Sequence, residues 1–171
     1  MMPGRGVRVM TLTLLVVLLR LPAPLAQAQI TEPQVQALLE SLDQAARSLK
    51  TDALMAHFAD DAVMTLEVPT PDGPQRLRWN KTEYAKELDE GYKDAIDYTF
   101  ERTETAIRIA PDGLSATVTA TMVETLRTRD RLIRAVSRDK ARLELRNGKL
   151  LVTRLDGVII EFEQEETAEA V

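Results

Sequence analysis

Few residues of this chain can do acid–base or nucleophilic chemistry, and two of them fall on strand faces that are otherwise apolar. His57 is the sole histidine, so neither a histidine metal cluster nor a two-histidine relay can form. The chain has no cysteine, which excludes thiolate nucleophiles, Cys-ligated zinc and thiol redox chemistry. After residue 28 the serines are Ser41, Ser48, Ser115 and Ser137, none in a nucleophile-elbow setting. What remains is carboxylate chemistry. In the stretch 114–128, Ala116, Val118, Ala120, Met122 and Leu126 alternate as one strand face, and Glu124 shares it. In 131–146, Ile133, Ala135, Ala141, Leu143 and Leu145 do the same, with Ser137 and Asp139 on that face. A turn centred between Thr128 and Arg131 sets Glu124 opposite Ala135 and Asp139 opposite Ala120. Alanines beside inward carboxylates leave room for a ligand or water. Four residues of register put the two acids about 13 Å apart along the strands, too far for one dyad. A buried unpaired carboxylate is costly, so each requires a cation, a ligand or a place at an open rim. Arg102, Arg138 and Arg154 are the candidate cations, and structural salt links stand beside a ligand site as readings.

The other polar candidates have simpler readings beside the functional ones. His57, between Ala56 and Phe58 on a short helix, reads as solvent-facing or capping, with a pocket role as acid or base as the alternative. Asp60-Asp61 looks like a carboxylate pair, but acids after a helix end are common turn formers. Trp79, Tyr84, Tyr92 and Tyr98 cluster around a third helix, as core packing or as hydroxyls at a pocket mouth. The ligand-binding candidates are therefore Glu124, Asp139, Tyr92, Trp79 and His57. No metal or cofactor is implied, and no catalytic residue is assigned.

The elements that must position these groups follow from punctuation and periodicity. Residues 1–28 read as a signal peptide: Arg5 and Arg8 lead, Val9–Leu19 is apolar apart from two threonines, and Ala26-Gln27-Ala28 supplies the cleavage pattern. The run stops at Arg20, short of the roughly 20 apolar residues of a spanning helix; an uncleaved anchor is the alternative. The expected location is periplasmic or secreted, with no membrane span after cleavage. Cleavage removes three arginines and no acid, taking the formal charge from −5 to −8. That balance argues against nucleic acid as a partner.

Residues 29–163 read as one domain and 164–171 as an acidic disordered tail. Thr31-Glu32-Pro33-Gln34 is a capping box, and Val35, Leu38, Leu39, Leu42, Ala46 and Leu49 form one helical face. A short helix over 51–59 follows, with Leu54 and Phe58 at i, i+4. A short strand over 62–68 and a Pro69–Pro74 turn come next. A third helix is capped by Asn80 and Glu83. Long strands over 98–109, 114–128, 131–146 and 149–162 are separated by turn signals, of which Asn147-Gly148 is the strongest. Helices followed by consecutive hairpins read as α+β, with N-terminal helices packed on a curved antiparallel sheet.

Phe58-Ala59-Asp60-Asp61-Ala62-Val63 resembles the helix-to-strand junction of the nuclear transport factor 2-like superfamily, which includes ketosteroid isomerase and the SnoaL-like cyclases. The order of elements is similar over about Gln34 to Phe162. The resemblance implies a cone-shaped domain whose bent sheet wraps the helices around an apolar pocket. In isomerase-like members a general-base carboxylate lies four residues beyond the junction alanine. Here that position is Leu66, and its neighbour Glu67 points to the opposite strand face. With no carboxylate at that position, the resemblance favours an exported non-catalytic domain. It would bind a small apolar or amphipathic ligand or self-associate as a homodimer. The alternatives are a lyase or isomerase on a small cyclic substrate, using Glu124, Asp139 or His57, and an accessory assembly module docking through the outer threonines 117, 119, 121 and 125.

Overall fold

A computed structural model describes residues 29–166; the signal peptide expected at 1–28 and residues 167–171 lie outside them. Helix α1 (Glu32–Arg47) starts where the capping box sets it. The Gln34 Oε1 oxygen accepts the Thr31 backbone N–H at 2.9 Å and its hydroxyl at 3.1 Å. Its apolar face buries Val35, Leu38, Leu39 and Ala46. Ile30, just ahead of it, is also buried, and its N–H donates to the Gly113 carbonyl at 2.8 Å.

Helix α2 (Thr51–Met55) is shorter than the expected 51–59, because β1 (Phe58–Val68) begins at Phe58. The backbone there is drawn into the sheet: Val152 N–H donates to the His57 carbonyl at 2.9 Å, and Phe58 pairs with Val152. A ladder bond made at long range outweighs the local preference to continue the helix. Between Phe58 and Val63 the register shifts, and Asp60 and Asp61 are exposed there. Lys81 Nζ meets Asp60 Oδ1 at 2.9 Å and the Phe58 carbonyl at 2.8 Å. This acidic pair is therefore a structural junction rather than a site.

Strand β2 (Gln75–Asn80) was not expected from the sequence. Its residues are mostly polar because it is an edge strand, with only Leu77 and Trp79 partly covered. Pairing with β1 from Val68↔Gln75 to Val63↔Asn80 makes it a strand. Helix α3 (Lys81–Tyr92) follows at once, with both halves of its capping box closed: Glu83 N–H to Asn80 Oδ1 and Asn80 N–H to Glu83 Oε2, each 2.9 Å. Asn80→Ala is expected to lower stability by about 1 kcal/mol, read as an earlier urea midpoint at unchanged slope. No loss would mean that packing alone sets the start of α3.

The remaining strands, β3 (Asp97–Ile109), β4 (Ser115–Arg127), β5 (Arg131–Arg146) and β6 (Lys149–Glu166), lie close to their expected positions. The β5–β6 turn has positive φ at both Asn147 (53°) and Gly148 (77°), as a type I′ turn requires. The six strands lie in the order β2-β1-β6-β5-β4-β3. All pairings are antiparallel except β1–β6, which is parallel, so the sheet is mixed rather than purely antiparallel. The parallel pair arises because the long hairpins bring the last strand back beside the first. Strand β6 continues past the expected domain end at 163: Gln164, Glu165 and Glu166 pair with Ile133, Leu132 and Arg131. Backbone pairing carries this acidic segment into the sheet.

Breaks in register at Thr103/Ala106, Val136/Ser137 and Arg142/Leu143 bend the strands. The sheet curls open and unclosed around the helices. Val35, Phe58, Met64, Val118, Leu143 and Val152 form the centre of the core between them. Among the described residues no helix is long and apolar enough to cross a membrane.

Candidate functional site

The register of β4 and β5 is the one expected: Glu124 faces Ala135 and Asp139 faces Ala120. Both acids open into a cavity of about 360 Å³ between the concave sheet face and helices α1 and α3. Leu42 and Ala46 reach it from α1, Tyr84 and Leu88 from α3, and Val118 and Ile133 from the sheet. Trp79 and Tyr92 line it too, so four of the five candidates converge there. His57 does not. It sits half-buried beyond the end of α2, with its imidazole pKa lowered by burial and then by the Lys149 charge.

The two acids are held differently. Tyr98 donates its hydroxyl to Glu124 Oε1 at 2.5 Å, and Tyr92 packs edge-on against Tyr98 at 5.5 Å between ring centroids. Burial raises the Glu124 pKa, and the tyrosine bond opposes the rise. The phenols respond in kind. Burial first and the Glu124 charge second push Tyr92 up to about 12 and raise Tyr98 and Tyr84 as well. Asp139 accepts the Ser137 hydroxyl at 2.7 Å on Oδ1. Burial pushes its pKa up to about 6, against the Ser137 bond and with help from the Glu124 charge. Both side chains keep some accessible surface because they face a cavity wide enough for water.

None of the expected cations pairs with either acid. Arg102 binds Asp43 on α1 through two bonds of 3.0 and 2.7 Å, and Arg154 binds Asp156 on its own strand. Arg138 is exposed, in register with Thr121 on the outer face. Among the described residues neither Glu124 nor Asp139 has a salt-bridge partner, and no metal-binding cluster occurs.

Sequence reasoning left Tyr98 out of the candidate set and overlooked Ser137 as the group holding Asp139. The alternation Tyr98, Phe100, Arg102 places all three on the inner face of β3, and this signal could have linked Tyr98 to Glu124 two strand positions away. Gly157 gave no such signal. A Cβ built on it would stand 3.0 Å from Leu66 Cδ1 and 3.1 Å from Asp139 Oδ1, so its bare backbone leaves room for both side chains.

No family model matches the sequence, and no curated protein matches it. Solved structures do match. A proposed scytalone dehydratase from Novosphingobium aromaticivorans aligns with a TM-score of 0.62 at 12% identity, over 81% of this chain and 89% of that one. A nuclear transport factor 2-like protein of unknown function from Pseudomonas putida aligns at 0.61 and 16%, over 77% and 89%. The hexachlorocyclohexane dehydrochlorinase LinA-type3 from Novosphingobium barchaimii aligns at 0.59 and 14%, over 81% and 90%. The chain has the nuclear transport factor 2-like fold, an α+β cone around a cavity, as the junction motif suggested.

Proposed function

We propose that this is an exported domain that holds a small apolar or amphipathic molecule in the cavity. The observation that carries the reading is the cavity itself. Its volume of about 360 Å³ lies within the usual range for small-ligand sites, about 300–1,000 Å³. Its walls are mostly aliphatic and aromatic, and its polar groups are concentrated in a few convergent side chains. Tyr98–Glu124 and Ser137–Asp139 would orient polar groups at two separate points of a ligand, while the apolar wall supplies most of the binding free energy. Several proteins of similar fold are named as enzymes acting on small organic molecules, which is compatible with such a ligand.

Native mass spectrometry of the protein taken from the exported fraction tests this. The expected chain begins at Gln29 and carries a small molecule. Ala120→Trp, which fills the cavity beside Asp139, should release it without unfolding the domain. A ligand-free wild-type chain that also fails to take up the neutral dye N-phenyl-1-naphthylamine would remove the binding reading. A chain retaining residues 1–28 would remove export by cleavage, and a doubled mass would support the homodimer.

A further inference from the structure

The charges around the cavity do not balance. Four carboxylates reach its wall, those of Asp43, Glu87, Glu124 and Asp139, against Arg102 as the single cation among the described residues. Arg102 is committed to Asp43, whose two oxygens both accept from it. Glu124 and Asp139 are each half satisfied: Tyr98 holds Oε1 of the first and Ser137 holds Oδ1 of the second. The other oxygen of each has no hydrogen-bond partner among the described residues. Small residues keep the space beside both acids open. Ala135 stands opposite Glu124, Ala120 opposite Asp139, and Gly157 beside Asp139 on β6. The aromatic residues point the same way. Phe58, Trp79, Tyr84, Tyr92, Tyr98 and Phe100 line the cavity. They are six of the seven aromatic residues in the chain, so the space is walled by π systems, whose negative faces attract cations.

We infer that the ligand is an organic cation, a small apolar body carrying a protonated amine. The inference rests on the ligand-binding reading of the cavity and adds the charge of what is bound. The ammonium group sits against Glu124, whose free oxygen accepts one of its N–H bonds. Beside it are the paired rings of Tyr92 and Tyr98, 5.5 Å apart between centroids. Asp139 offers its free oxygen to a second donor further along the ligand. A buried carboxylate without a counter-charge is costly, and the described residues supply none to either acid. Here the counter-charge arrives with the ligand. A neutral molecule of the same shape leaves both acids unpaired, and an anion adds repulsion, so the cavity selects by charge as well as by shape. Burial raises the pKa of both carboxyls, and a bound cation favours their ionised form.

The test is displacement of N-phenyl-1-naphthylamine by two molecules matched in length, at mildly alkaline pH. One is 4-phenylbutylamine, which carries the charge, and the other is 4-phenylbutan-1-ol, which does not. The amine is expected to displace the dye at about a tenfold lower concentration, the worth of one hydrogen bond to a charged group. Glu124→Gln should remove most of that preference and Asp139→Asn a smaller part, while His57→Ala, outside the cavity, should leave it intact. Equal displacement by amine and alcohol, or by neither while the dye still binds, would overturn the cation and leave the binding reading standing. A preference that survives in both acid variants would overturn the seat at Glu124. Failure of the wild-type protein to bind the dye, the amine or the alcohol would overturn both readings.

Discussion

Asp139→Asn is expected to make the domain more stable, and only above about pH 5. An acid whose folded pKa exceeds its unfolded value binds more protons when folded, so stability falls as pH rises between the two values. For Asp139 that window runs from 3.8 to about 6. Each unit is worth about 1.4 kcal/mol, and water reaching the cavity screens part of it. The variant should therefore gain roughly 2 kcal/mol at pH 8, the gain shrinking toward zero at pH 4. Paired urea titrations at the two pH values read this directly. A gain of equal size at both would mean that Asp139 ionises as easily folded as unfolded. Such a stabilising loss of charge is the usual mark of a group kept for function rather than for folding.

Arg102→Ala should have the opposite and larger effect, a loss of about 3–5 kcal/mol. The Arg102 and Asp43 side chains are 11% and 14% exposed, and the guanidinium meets both carboxylate oxygens. Removing the arginine strands a carboxylate between α1 and β3. Both residues also line the cavity, so the same variant should weaken retention of apolar dye. Asp43→Ala combined with Arg102→Ala should recover part of the stability, because no orphaned charge remains. Additive losses in thermal melts of the two single variants and the double would show that the ion pair contributes little coupling.

The parts of the fold legible in the sequence were those set by local physics. The capping boxes at Thr31 and Asn80, the helical stripe of Val35, Leu38 and Leu39, and the Asn147-Gly148 turn depend on neighbours a few residues away. Alternation within β4 and β5, together with the turn that joins them, sufficed to set Glu124 against Ala135 and Asp139 against Ala120. A strand's period of two leaves only one face for each side chain.

Tertiary structure decided what depends on distant segments. Phe58 enters a strand because Val152 pairs with it, β2 exists because β1 is there to receive it, and Glu166 remains in the sheet because Arg131 lies opposite. Partner choice was decided at the same level. Arg102 turned to Asp43 on α1 rather than to either inner acid, and Tyr98 reached Glu124 across the sheet. The one-dimensional pattern specifies which face a side chain takes, whereas the groups it meets depend on how the sheet bends over the helices. The chain thus declared in its sequence that two acids point inward. Only the tertiary structure set Gly157 of β6 beside Asp139 and Leu66, where the absence of a Cβ leaves room for both.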